Sequence, residues 1–377
     1  MLHVYRTYFP DPPGGLQEAI RQIAISTGGK GVESRIYTLS PAPVPNMIER
    51  AEGLVIRARS YMAPASCDLG GASAFRGFAQ ASEWADIINY HYPWPFADVL
   101  HFVSRPRKPA VMTYHSDVVG KGAFGSLYKP LMARMLKSMD TVIATSPAYA
   151  ATSMALRDNV DPGNLAVIPL GIEEASYAAF REAAKQVNVS ARFGVEKGRF
   201  FLFVGVLRKY KGLEYLVEAA KQTDMPVVIA GSGPELDRIA ELSRSVPNIR
   251  MVGQVDDAEK MALIEACRAA ILPSHLRSEA FGVFLIEAAM CGRSMISCEI
   301  GTGTTYVNNS GETGIVVPPQ RPDLLGAALQ ALAANDELAK DYGNAARRRY
   351  EHLFSGESLG TAYRDLYRSL VNRGEPK

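Results

Sequence analysis

Cysteine is scarce in this chain: Cys67, Cys267, Cys291 and Cys298 are the only four, and none has a C-x-x-C or Cys/His spacing. That spacing excludes a recognisable thiolate metal site or redox pair, and a reduced, cytosolic protein is expected. Asp-x-Asp does not occur, and the adjacent aspartates Asp256 and Asp257 read as part of a turn, so no metal site is expected. The first strand–helix unit lacks G-x-G-x-x-G, which leaves it without a dinucleotide fingerprint. No apolar run approaches the ~20 residues of a membrane span, and MLHVYRTYF is too short for an export signal. Any membrane contact is therefore expected to be peripheral. A net charge of only +2 predicts no polyanion partner, nucleic acid included. Internal repeats and low-complexity tracts are also missing.

What is present is a chain of 377 residues, long for one core and suited to two. Apolar content of 47% and charged content of 21% fit an ordinary globular protein. Strands read at 2–8, 34–39, 54–57, 87–90, 110–114, 141–144 and 166–168, and helical segments separate most of them. This pattern is α/β, a doubly wound parallel sheet. Pro169 and Gly171 in NLAVIPLGIEE break the last strand, and a polar, poorly periodic stretch follows to Gly198. That shift sets the domain boundary at 172/173. A second α/β sheet reads from strands at 200–204, 227–230, 250–252, 269–272, 294–297 and 315–317. Helices follow at 324–333, 338–350 and 357–372.

Ligands of such sheets sit beyond the carboxyl ends of strands. Three polar clusters fall there in the first half: His91-Tyr92-Pro93-Trp94, His115-Ser116-Asp117 and Thr145-Ser146-Pro147. Asp117 is placed to orient His115 or to cap the next segment. Gly14 and Gly15, between the first strand and its helix, read as a backbone contact to a ligand, where glycine supplies dihedrals and clearance. From His101 to Lys137 the cations Arg105, Arg107, Lys108, Lys121, Lys129, Arg134 and Lys137 are opposed only by Asp117, a patch able to attract anionic lipid.

The second half carries the densest constellation, SHLRSEAFGVFLIEAAMCG over 274–292. A buried strand ends at Pro273 and a helix starts near Val283, so Glu279 lies in the loop and Glu287 on the first turns of the helix. Backbone N–H groups of Phe281, Gly282 and Val283 are unpaired at such a helix start and suit an oxygen-rich, anionic, polyhydroxylated ligand. Upstream, GVLRKYKG brings Arg208 and Lys211 to another strand–helix loop.

The string SEAFGVFLIEA resembles the E-x7-E element of retaining GT-B glycosyltransferases of the family-4 kind. PPGG, YHSDVVGK, IPLGIE and FVGVLRKYKG resemble other elements of that family in family order, so the likeness spans nearly the whole chain. It implies two Rossmann-like, doubly wound domains facing across a cleft. The first is the acceptor side, 1–172, with the helix 356–377 packing back on it, and the second binds a nucleotide sugar, 173–355. It implies that His115 lies beside the transferred sugar, Glu279 on the sugar hydroxyls, Glu287 on the ribose and Val255 against the base. Arg208 and Lys211 would then stabilise the leaving diphosphate without a metal, as fixed cations. One departure from the family pattern is Val206, where an arginine usually follows the glycine, and Arg208 is the nearest substitute.

The chain most resembles bacterial mannosyl- or rhamnosyltransferases of surface polysaccharide assembly. The resemblance implies a GDP-sugar donor, with UDP-glucose-type donors open, and a glycan or lipid-linked acceptor. No cofactor is implied besides the donor substrate. The expected location is cytoplasmic, at the inner face of the plasma membrane. Two other classes stand beside this one: a nucleotide-sugar epimerase or hydrolase on the same frame, needing no acceptor, and a non-catalytic sugar-binding protein.

Overall fold

The computed structural model describes residues 1–377 except 12–13, 65–66, 119–121 and 374–377. The chain divides into two compact units, Met1–Glu173 with Gly356–Lys377, and Glu174–Ser355. The first unit contains β1 (Leu2–Val4), β2 (Arg35–Ser40), β3 (Met47–Arg50), β4 (Gly53–Met62), β5 (Leu69–Gly70), β6 (Ile88–Tyr92), β7 (Ala110–Tyr114), β8 (Thr141–Ala144) and β9 (Leu165–Val167). Their order is β3-β4-β2-β1-β6-β7-β8-β9, with β5 beside β4. Only β3 and β5 run antiparallel. The central strands β6, β7 and β8 are buried throughout, as expected of parallel strands covered on both faces by helices.

The first strand is shorter than its pattern suggests, since pairing with β6 stops at Val4 opposite Tyr90. β3 carries Glu49 and Arg50 and is largely exposed, so it shows no apolar alternation to read. β4 continues to Met62, ending with Tyr61 and Met62 exposed.

The helix Gly356–Arg373 belongs to the first unit although it follows the whole of the second. Its Leu359, Tyr363, Tyr367 and Leu370 join Met1, Ile23, Ile87, Val111 and Ile143 in one buried cluster. Burial of such side chains stabilises by roughly 1.5–3 kcal/mol each. Polar contacts fix its register: Asn89 Nδ2 donates to Tyr367 Oη at 3.0 Å, and Thr113 Oγ1 lies 3.1 Å from Tyr363 Oη. Gly360 crosses the first helix so closely that a Cβ there would come within 2.1 Å of the Ser26 carbonyl oxygen.

The second unit contains β10 (Phe201–Val204), β11 (Val227–Ala230), β12 (Ile249–Gly253), β13 (Ala269–Leu272), β14 (Ser294–Cys298) and β15 (Gly314–Val317). All pair in parallel, in the order β12-β11-β10-β13-β14-β15. The poorly periodic stretch before Gly198 folds into two short helices, Ala178–Ala184 and Val189–Phe193. Asp256 and Asp257 do not form a turn. Asp256 caps the helix Asp257–Ala266 in a capping box: its Oδ1 accepts from Glu259 N at 2.8 Å, and Glu259 Oε2 accepts from Asp256 N at 3.2 Å.

Both sheets reverse their winding direction once, between β1 and β6 in the first unit and between β10 and β13 in the second. The carboxyl ends of those strands are where an open α/β sheet leaves a crevice.

Candidate active site

In the second unit, the loop after β10 and the loop after β13 leave the sheet side by side at its switch point. The first loop contains Arg208 and ends in a single turn, Lys209–Lys211, closed by Gly212 at φ 66°. A Cβ on Gly212 would stand 2.3 Å from the Pro273 carbonyl oxygen, so this glycine lets the two loops touch. Lys211 Nζ forms a largely buried ion pair with Glu279 Oε2, which also accepts from Ser274 Oγ at 3.2 Å. The two residues read separately from sequence are thus direct partners. Burial lowers the Lys211 pKa, but the Glu279 carboxylate and the Tyr210 phenol outweigh it, and the net shift is upward. Lys211 therefore stays cationic. Arg208 is exposed and its guanidinium makes no ion pair or hydrogen bond among the described residues, while its carbonyl accepts from Lys211 N at 2.9 Å, and Val206 is exposed as well.

The helix Val283–Met290 starts at Gly282, whose φ of 86° lies in the left-handed region. A Cβ there would come within 2.8 Å of Leu272 Cδ2, so the turn packs directly on the end of β13. Among the described residues nothing accepts from the backbone N–H groups of Phe281, Gly282 or Val283. Glu287, one turn on, is buried and held twice at Oε1: by Lys260 Nζ at 2.9 Å and by the Tyr177 hydroxyl at 3.0 Å. Lys260 also meets Asp257 at 3.1 Å. Burial works against its charge, yet Glu287 and then Asp257 shift its pKa upward. Sequence reasoning missed Lys260 and Tyr177, because no local motif joins positions so far apart. Val255 is half-buried just after β12, next to Gly253, whose carbonyl accepts from Gly231 N at 2.7 Å.

In the first unit, Gly14 and Gly15 open the helix Gly15–Gly28, but not for the dihedral reason expected. Gly14 is extended at φ −158° and Gly15 is helical, so neither occupies the left-handed region. What they supply is room: a Cβ on Gly15 would meet nothing within 4 Å, and one on Gly14 only the flexible end of Gln17. His115 follows β7 and is oriented by His91, its Nε2 lying 2.9 Å from His91 Nδ1. Asp117 does not orient it. The Asp117 carboxylate instead accepts from Tyr114 Oη at 3.0 Å and Ser153 Oγ at 2.6 Å. Of the cationic segment, Arg105, Arg107, Lys129, Arg134 and Lys137 are exposed, Lys108 is half-buried, and Lys121 lies outside the described residues.

Chemically, the second unit offers a fixed cation, a second, exposed one, unpaired N–H groups at a helix start and two anchored carboxylates. That set matches a diphosphate flanked by hydroxylated rings. Two largely parallel sheets of Rossmann type, the second carrying this site, are the architecture of GT-B glycosyltransferases. The sequence profile described as Glycosyltransferase Family 4 matches residues 13–176, and that described as Glycosyl transferases group 1 matches residues 188–349. The chain is 41% identical to D-rhamnosyltransferase WbpZ of Pseudomonas aeruginosa, over 94% of this chain and 92% of that one. It is 38% identical to O-antigen chain mannosyltransferase C of Escherichia coli, over 98% of each. Among solved structures, sucrose-phosphate synthase from Thermosynechococcus elongatus superposes with a TM-score of 0.78 at 22% identity, covering 99% of each chain. The protein belongs to this family of glycosyltransferases. The comparisons do not favour an epimerase or hydrolase.

Proposed function

We propose that this glycosyltransferase transfers mannose or rhamnose, with retention and without a metal, from a GDP-sugar to a glycan or lipid-linked acceptor of O-antigen type. The observation that carries the mechanism is the largely buried Lys211–Glu279 pair at the switch point of the second sheet. Lys211 supplies permanent positive charge where a diphosphate departs, and Arg208, exposed and unpartnered among the described residues, adds a guanidinium as the donor binds. The N–H groups of Phe281, Gly282 and Val283 complete the anion site. Glu279 meets the sugar hydroxyls, Glu287 the ribose, Val255 the base, and His115 the transferred sugar. Gly14 and Gly15 leave backbone open to the ligand. The choice of sugar rests on the two relatives, whose names specify rhamnosyl and mannosyl transfer.

A thermal-shift panel of nucleoside diphosphates tests the donor. At 100 times its Kd a ligand adds ~2.7 kcal/mol, so GDP is expected to raise the melting temperature clearly above UDP or ADP. A response to UDP alone would replace the GDP assignment. Glu287→Gln is expected to weaken GDP binding by roughly 1.5–3 kcal/mol, since an amide accepts ribose hydroxyls less strongly than a carboxylate. An unchanged Kd by calorimetry would remove Glu287 from the ribose.

We also propose that the first unit meets an anionic membrane peripherally. Val103 and Leu127 are 62% and 79% exposed, on the helices Pro95–Ser104 and Gly122–Lys137, which carry or closely precede the exposed cations Arg105, Arg107, Lys129, Arg134 and Lys137. Each well-placed Lys or Arg contributes ~1 kcal/mol at an anionic surface, which fits an acceptor carried on lipid at the inner membrane face. Sedimentation with anionic vesicles is expected to exceed that with neutral ones at low salt, and equal sedimentation would remove the membrane from the proposal. Among the described residues no helix is long and apolar enough to cross a membrane.

A further inference from the structure

Three buried histidines form a hydrogen-bonded staircase across the first unit's switch point. His3 on β1 lies opposite Asn89 of β6, and His91 of β6 lies opposite Thr113 of β7. Each step from His3 to His91 to His115 therefore advances two residues, which keeps all three rings on one face of the sheet. His3 Nδ1 is 3.0 Å from His91 Nε2, and His91 Nδ1 is 2.9 Å from His115 Nε2. The His91 and His115 rings stack with centroids 5.2 Å apart. Exposure rises along the chain, from 0% at His3 through 1% at His91 to 4% at His115.

All three rings are neutral, because burial pushes their pKa values well down. A neutral imidazole carries one N–H and one bare nitrogen, so His91 donates one of its two bonds and accepts the other. The whole chain then has only two possible directions. If His115 donates to His91 and His91 to His3, the proton of His3 is forced onto Nε2, which is buried with no partner among the described residues. In the opposite direction, that atom is a bare lone pair and the terminal N–H emerges at His115 Nδ1. Orphaned buried N–H groups are rarer than under-satisfied acceptors, so the second direction is favoured. Nδ1 of His115 has no partner among the described residues and is left for a ligand.

We propose that His3 and His91 are positioning residues that lock His115 in its Nδ1–H tautomer, so that it presents to the transferred sugar a hydrogen-bond donor and not a base. The inference rests on the reading above that His115 meets the sugar. A donor there holds a sugar oxygen while the departing diphosphate takes the acceptor's proton.

The full chain labelled with nitrogen-15 in its six histidines gives the direct test. Two-bond proton–nitrogen couplings near neutral pH are expected to assign the His115 proton to Nδ1. A proton on Nε2 would overturn the proposal. His3→Asn and His3→Asp are nearly equal in size, but only asparagine can donate toward His91. The Asp variant is expected to reverse the His115 tautomer and to turn over at least about tenfold more slowly than the Asn variant, with donor KM moving less than kcat. Equal turnover with a reversed tautomer would end the positioning role. If the Asp variant fails to fold, the wild-type tautomer still decides. His115→Ala, expected to lose on the order of 10² in kcat, separates the two claims. Full turnover there, with Nδ1–H seen in the wild type, would overturn the placement of His115 at the sugar and leave the tautomer standing.

Discussion

Turnover is expected to fall by roughly 10² to 10³ when Lys211 is replaced by alanine, about 3–4 kcal/mol of transition-state stabilisation. Lys211 reaches the switch-point crevice from a turn closed by Gly212, and its charge is kept by Glu279. Removing it takes away the one fixed cation proposed to meet the leaving diphosphate, and leaves the Glu279 carboxylate with Ser274 as its remaining hydrogen-bond partner among the described residues. Breaking a buried pair also costs stability, on the order of 3 kcal/mol, so kcat is to be compared on folded protein, with Lys211→Arg as the variant that keeps charge. Arg208→Ala should cost somewhat less, as its side chain is exposed and not held by a partner among the described residues. Wild-type turnover should survive excess EDTA, and added Mg²⁺ should not rescue Lys211→Ala. A fully active Lys211→Ala enzyme, or a wild type silenced by EDTA and revived by Mg²⁺ or Mn²⁺, would show that another group stabilises the leaving phosphate.

Acid should unfold the first unit early. Burial lowers the pKa of His3 to about 3, helped by the nearby amino terminus, and that of His115 to about 3 as well, while His91 is shifted in the same direction. Unfolded histidines titrate near 6.5, so below that pH the unfolded chain binds protons that the folded one refuses. Stability from this source is complete above about pH 6.5 and is lost steadily as pH falls toward 3. At about pH 5 each of His3 and His115 withdraws ~2 kcal/mol, together a large share of a typical domain's 5–15 kcal/mol. Both tryptophans, Trp84 and Trp94, lie in the first unit, so their fluorescence reports on it selectively. Asp98 of the same unit, its carboxyl pushed up to about 8 by burial, takes up a proton on folding and offsets part of this loss. The urea midpoint read by that fluorescence should drop markedly between about pH 7.5 and 5 in Asp98→Asn protein, where the offset is gone. No change would mean that the histidines are protonated, or relaxed into water, without cost.

Much of this molecule could be read before folding. Runs such as Phe201–Val204 and Ala269–Leu272 are apolar throughout and short, and a strand buried on both faces needs no other signal. Glu279 and Glu287 were legible for the same local reason, because a strand, a loop and a helix start follow one another within a few residues. Where the reading failed, the determinants were not local. β3 is exposed and charged, and only its pairing with β4 makes it a strand. Gly14 and Gly15 occupy ordinary backbone regions, and what they leave open is visible only in three dimensions.

By itself the sequence determined two α/β sheets, the order of their elements and which polar residues lie at strand ends, because these depend on periodicity and on neighbours in the chain. Tertiary structure alone decided who meets whom: Lys211 with Glu279, Glu287 with Lys260 and Tyr177, and His3 with His91 and His115. Those pairs join residues brought together by parallel crossovers. A parallel sheet sets its register through burial and hydrogen bonding between distant strands, so a partner's identity leaves no mark in the sequence beside either residue.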